Sequence, residues 1–162
     1  MTHTPTPGTS AFADLFTPFL AELFALDPVF ATEIGDHARD SEWPDLSEGG
    51  RLALLAFIAH WDTRFDALDG LAVDDAIDRD LVLGRLAAMR FDAETLRDDA
   101  TDPMTWVYAL GGGLFSLLAR DFAPLAERLT SVAGRLEGIP SVLDAARSAL
   151  VGTADRPVGR FQ

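Results

Sequence analysis

The chain has 162 residues, 48% of them hydrophobic, with 26 acidic residues against 13 basic ones, a net charge of −13 and no cysteine. That length suits one domain with enough chain for a sizeable core. The charge argues against phosphate backbones and anionic bilayers as partners, and the lack of cysteine removes disulfides, thiolate metal sites and cysteine nucleophiles.

Residues 1–10 are rich in Thr and Pro and read as a disordered tail. They carry no basic n-region, and Asp14 and Glu22 interrupt the apolar stretch that follows, so no signal peptide is expected. With no run long enough to span a bilayer, the expected location is the cytoplasm. Ser10 reads as the cap of a first helix, in which Phe12, Phe16, Phe19, Leu23 and Leu26 recur at spacings of 4, 3, 4 and 3. Pro18 sits inside it, on the polar side with Asp14 and Glu22, where water can reach the freed carbonyl. Asp27-Pro28 starts a short helix that Gly35 ends. Asp36 to Ser47 is a loop. Ser47 caps a longer helix whose stripe is Leu54, Ile58, Trp61, Phe65 and Leu68, and Asp69-Gly70 closes it.

A further helix is expected from about Asp74 to Asp98. Ile77, Leu81, Gly84, Ala88 and Phe91 form one stripe, and Val82, Leu86, Met89, Ala93 and Leu96 form a second. A face that wide suggests more than one neighbour. Asp75–Arg79 and Arg90–Glu94 have the i,i+4 spacing of surface ion pairs. Asp102-Pro103 opens an uncharged run from Met104 to Ala119 that Gly111-Gly112-Gly113 interrupts. It reads as two buried helical pieces meeting at a close-packed corner. Phe122, Leu125, Leu129, Val132 and Leu136 mark the next helix, Gly138-Ile139-Pro140 a break, and Leu143, Ala146 and Leu150 a last helix. No segment alternates like a strand. The expected class is all-α, an irregular bundle of about six or seven helices without significant sheet. The helical domain covers residues 11–151, and 152–162 reads as a linker.

Little chemistry is visible. His37 is flanked by Asp36 and Asp40, the only candidate metal or acid–base cluster. The competing reading is loop architecture, in which Asp caps backbone groups and His bonds the last carbonyls of a helix. His60 sits beside Trp61 in mid-helix with no serine or second histidine near it in sequence. Asp74, Asp75, Asp78 and Asp80 fail the calcium-loop pattern, because Arg79 and Arg85 occupy the positions that need Gly and Glu. The macrodipole of a helix start accounts for them. The glycine triplet lacks the preceding strand and following lysine of a phosphate loop. Arg120 and Asp121 read as a polar network at a bundle end. No HExxH, GxSxG, P-loop or zinc-finger spacing occurs. Catalytic residues and cofactors are therefore expected to be absent from this chain.

Three blocks in order resemble the start of the bacterial domain-of-unknown-function 885 family. The first is Asp27-Pro28, Ala31-Thr32, Gly35-Asp36-His37, Asp40 and Pro44-Asp45-Leu46-Ser47. The second is Asp78-Arg79-Asp80-Leu81 with Arg90-Phe91 and Glu94. The third runs from Trp106-Val107-Tyr108 through Gly113-Leu114-Phe115 and Leu117 to Pro124, with Arg128-Leu129, Arg135 to Pro140 and Ala145-Ala146-Arg147. The resemblance implies a mostly helical relative of HExxH zinc metallopeptidases, with zinc held in a C-terminal part that these residues do not include. It makes Arg156 to Arg160 a link toward that part. On this reading the chain is a non-catalytic N-terminal region, whose partners are the remainder of the parent protein and, in a full-length form, a peptide substrate. The alternatives are a stand-alone helical binding or homo-oligomeric module, and an enzyme using His37 and its carboxylates.

Overall fold

In the computed structural model, residues 10–150 are described. The expected tail, apart from Ser10, and the expected linker 152–162 lie outside them. The elements are α1 (Ala11–Leu26), α2 (Pro28–Ile34), α3 (Glu48–Asp66), α4 (Val73–Phe91), a π-helical turn (Asp92–Leu96), α5 (Asp98–Thr101), α6 (Pro103–Leu118) and α7 (Leu125–Ala149). No strand occurs among the described residues, and the fold is an all-α multi-helix bundle.

The early helices form as their caps dictate. The Ser10 hydroxyl accepts from the Ala13 amide at 3.1 Å, Asp27 from Phe30 at 2.9 Å, and Ser47 from Gly50 at 3.3 Å. Gly35 ends α2 at φ 102°, a left-handed conformation that favours glycine. The buried stripes of α1 and α3 meet α4 through Phe12, Phe19, Leu23, Phe57, Ile58, Trp61, Phe65, Val82 and Leu86. Phe19 is the hub, its ring 5.5 Å from Phe57, 5.6 Å from Trp61 and 5.3 Å from Phe65. The buried Trp61 indole donates to Glu22 at 2.8 Å. Pro18 faces out, as expected.

A second, smaller core joins α6 and α7 through Trp106, Val142 and Ala146, with Trp43 and Leu46 of the loop packed against it. No single helix among the described residues is long and apolar enough to cross a membrane. α1 and α2 reach that composition only together, and they are bent by 119°.

Several expectations give way here. The helix expected to run to Asp98 ends at Phe91 and passes through the π turn to Arg97, whose φ of 51° stops it. The Arg97 amide closes the turn on the Asp92 carbonyl at 3.0 Å, and its guanidinium bonds Asp99 at 3.0 Å. The glycine triplet is no corner: α6 runs straight through it, and none of the three glycines adopts a left-handed φ. Nor is the run buried throughout. Tyr108 is 71% and Phe115 69% exposed, and only Trp106, Gly113 and Leu117 are buried. Gly138-Ile139-Pro140 likewise breaks nothing, because Pro140 lies on the exposed side of a continuous α7, where water can satisfy the Leu136 carbonyl.

The apolar stripe expected to pack α7 faces outward at Leu125, Leu129 and Leu136. Its buried positions are Arg128, Arg135, Val142 and Ala146. The surface pairs also change partners: Arg79 bonds Asp80 and the Leu68 carbonyl, and Arg90 bonds Asp62.

Candidate functional site

The polar side chains converge where α2, the loop after it, α6 and α7 meet. Arg135 is fully buried. Its Nη2 donates to the Thr32 hydroxyl at 2.7 Å, and its Nη1 donates to the Gly113 carbonyl and to Ser116 Oγ at 3.3 Å. Its guanidinium lies 5.7 Å from the Trp43 ring centroid. Burial pushes the guanidinium pKa down from its usual value, while Asp40, Asp27 and Glu33 oppose the shift. The Nε of Arg135 has no hydrogen-bond partner among the described residues.

Thr32 links Arg135 to Asp40 by hydrogen bonds. Its hydroxyl lies 2.7 Å from Asp40 Oδ1, with the Pro28 carbonyl as a second acceptor at 3.0 Å. Asp40 is buried, and His37 Nδ1 lies 3.0 Å from its Oδ2. The His37 ring stacks on Phe122 at 3.7 Å with 7° between the planes. Arg128 then binds the end of α6. It donates to the carbonyls of Leu118 at 3.2 Å and Ala123 at 3.0 Å, and to Asp121 at 2.6 Å. Arg120 reaches across to the Glu33 carbonyl at 2.9 Å.

Trp43 is locked into this knot. Its indole donates to the Arg135 carbonyl at 2.7 Å, and its ring lies against Gly113 of α6 and Gly138 of α7. A Cβ on Gly138 would stand 2.6 Å from the ring, and one on Gly113 would also overlap it. Gly113 of the expected corner and Gly138 of the expected break are therefore the floor of a tryptophan slot.

Of the candidate ligands, the fold joins His37 to Asp40 and turns Asp36 away, its carboxylate accepting from the Ala38 amide at 3.1 Å. No group of three or more His, Asp or Glu side chains is gathered in metal-binding geometry among the described residues. His60 is exposed, 3.3 Å from Arg64. The His–carboxylate pair could orient an imidazole, but Ser116, the serine that Arg135 bonds, is already bonded to the Gly113 carbonyl at 3.1 Å. Sequence reading missed Arg135, Arg128, Thr32 and Trp43. The available signal was Arg128 and Arg135 at seven-residue spacing, with Gly134 and Gly138 on the same helix.

The Pro44–Ser47 segment separates two clefts. One, of about 580 Å³, opens between the two cores and is mainly apolar, lined by Leu23, Leu26, Leu54, Met89 and Trp106. The other, of about 890 Å³, lies over Trp43 and the small residues of α7, with Glu42, Asp45, Glu48 and Asp144 around it. Asp45 and Glu48 titrate below the ordinary carboxyl range, Asp45 because Ser47 donates to it and Glu48 because Arg51 does.

A solved structure from Shewanella oneidensis, described as "a putative lipoprotein of unknown function", is similar to this chain, with 30% sequence identity and a TM-score of 0.79. The match covers 88% of this chain and 26% of that one, so the chain spans about a quarter of that relative's length. No match among curated proteins was found. The knot and the tryptophan slot are built almost entirely from residues within 28–160, the stretch that matches the model of the bacterial protein family of unknown function DUF885, and the chain belongs to that family.

Proposed function

We propose that this helical region is a non-catalytic N-terminal portion of a zinc-metallopeptidase-like architecture. In it, residues 11–151 form a wall beside a peptide-binding cleft, and 152–162 lead on toward the remainder. The observation that carries the reading is the outward apolar surface. Ile77, Leu81 and Phe91 on α4, Val107, Phe115 and Leu118 on α6, and Leu125, Leu129 and Leu136 on α7 are all exposed. Soluble monomers rarely leave so much large apolar side chain uncovered, and such faces mark interfaces. The apolar cleft between the two cores supplies a concave surface for an extended chain. Zinc would be held by the family's C-terminal part and not by His37, Asp36 or Asp40.

Read past Gln162, the native frame should encode an HExxH helix, and residues 1–162 purified alone should bind the apolar dye ANS strongly while holding no stoichiometric zinc. A stop codon at that point, together with a dye-silent monodisperse monomer, would overturn the proposal.

A second reading has its own support. Leu125, Leu129, Val132, Leu136, Ile139 and Leu143 follow a 4, 3, 4, 3, 4 spacing along α7, the period of a helix–helix seam. A homo-oligomeric module would use it, and sedimentation would show a dimer that Leu136→Asp dissolves. As to location, a cysteine-free chain suits the cytoplasm and the cell envelope alike, and the Shewanella protein is described as a lipoprotein. Fractionation of the tagged native product separates the two.

A further inference from the structure

The outward face of α4 inverts the usual amphipathic pattern. Val73, Ile77, Leu81, Gly84, Ala88 and Phe91 fall at spacings of 4, 4, 3, 4 and 3 and line the side of the helix opposite Val82 and Leu86. All six are exposed, Val73 at 76% and Leu81 at 67%. The stripe is continuous over the whole 19-residue helix. On a solvated helix these positions would carry charge.

Carboxylates flank the stripe. At helical spacing, Asp74, Asp78 and Asp92 lie along one border and Asp80 along the other. Asp80 is occupied by Arg79 at 2.8 Å. Asp74, Asp78 and Asp92 make no ion pair among the described residues, where all the salt bridges lie elsewhere. The basic residues of α4 do not neutralise them: Arg79 reaches the Leu68 carbonyl, Arg90 turns to Asp62 at 3.2 Å, and only Arg85 remains exposed on that side. An apolar line with three unpaired carboxylates against one arginine along one border has a definite complement, an amphipathic helix with Arg or Lys beside its own apolar stripe.

We infer that the outward face of α4 is a docking surface for a basic amphipathic helix supplied by polypeptide outside residues 1–162. This rests on the reading above that the outward faces are covered in the working protein, and it assigns the chemistry of one cover. A second copy of the chain is the wrong complement: it carries the same net charge of −13 and would bring Asp74, Asp78 and Asp92 against their own kind. An anionic bilayer is repelled by the same carboxylates. The borders set orientation and partner choice, and the apolar line supplies most of the adhesion.

The test uses the whole chain and a labelled helical peptide of about 18 residues, long enough to match α4. Its Leu stripe is bordered by Arg, and a control peptide has Glu in place of every Arg. Fluorescence anisotropy should show saturable binding of the Arg peptide and none of the Glu peptide. Leu81→Asp should weaken binding by about tenfold or more, equivalent to about 1.4 kcal/mol. The triple variant Asp74→Asn, Asp78→Asn, Asp92→Asn should weaken it several-fold and flatten its salt dependence. Circular dichroism should confirm that both variants keep their helix, as exposed positions allow.

Leu136→Asp on α7 should leave peptide binding unchanged. Equal binding of both peptides, or indifference to the α4 variants, overturns the inference. So does self-association that Leu81→Asp abolishes, which would make the occupant a second copy. If the chain binds ANS and Leu136→Asp reduces that signal while α4 stays inert to the peptide, this inference falls alone. If no outward face binds the dye, the reading beneath it falls as well.

Discussion

Arg135 is the residue on which the two halves of the fold turn. A fully buried guanidinium without a carboxylate in direct contact is costly, and here a threonine hydroxyl, a serine hydroxyl and a main-chain carbonyl offset the lost hydration. Truncation should therefore cost more than replacement by an apolar group of similar length. Arg135→Ala is expected to lose about 3–5 kcal/mol in urea unfolding. Arg135→Met should lose only about 1–2 kcal/mol, because Thr32 can still bond Asp40 and Ser116 can still bond Gly113. Equal losses would show that the charge itself is required.

The glycines of α6 make a sharper contrast. Among the described residues nothing lies within 4 Å of a Cβ built on Gly111 or Gly112, whereas the Trp43 ring fills that space at Gly113. Gly111→Ala and Gly112→Ala should each raise stability by about 0.5–1 kcal/mol, the ordinary gain inside a helix. Gly113→Ala should lower it by about 1–3 kcal/mol through overpacking. A flexible corner at the triplet would instead make all three substitutions unfavourable.

Among the elements, the caps were legible and the breaks were not. Ser10, Asp27 and Ser47 cap as their sequence positions imply, since a cap is a local bond between a side chain and an amide two or three residues on. Gly111–Gly113 and Pro140 resemble breaks for equally local reasons, yet tertiary packing outweighs their unfavourable propensities. Pro140→Ala should accordingly stabilise α7 by restoring a hydrogen bond to Leu136, visible as a rise in the urea midpoint.

The loop before α3 is sensitive to acid. Asp45 accepts from Ser47, so its carboxyl ionises at lower pH in the folded chain than in the unfolded one. Its stabilisation is complete above the ordinary aspartate value of 3.8 and is lost as pH falls through the lower folded value. Stability should thus decline below about pH 4, and Asp45→Asn should flatten that slope by lowering stability at neutral pH toward its acid value.

At the scale of the molecule, two hydrophobic clusters share one framework. The larger, on α1, α3 and α4, is dense in aromatic rings, whereas the smaller, on α6 and α7, relies on Trp106 and Trp43. The polar knot and the α2–α6 packing tie them together, so unfolding should be one cooperative event. Unfolding followed through Trp61 and through Trp106, each in a variant whose other tryptophans are Phe, should give coincident urea transitions. Adding Arg135→Ala should separate them, with the Trp106 signal lost first. Charge and outward apolar surface belong to this scale as well: this acidic molecule keeps large apolar side chains exposed on α4, α6 and α7 that its own two cores do not cover.

The sequence by itself determined the all-α class, the first helices and their caps, the aromatic stripes of the larger core, and membership of the family, because each is written in spacings of a few residues or in ordered blocks. Periodicity says which side chains share a face, but not which face meets a neighbour. On α7 that choice went to Arg128 and Arg135 over the leucine stripe, and on α4 it went to Val82 and Leu86 over Ile77 and Leu81. Only the tertiary structure decided it. The groups that satisfy a buried arginine or need a tryptophan slot lie far away in the chain, as when Trp43 bonds Arg135, and neither cost nor gain exists until they meet.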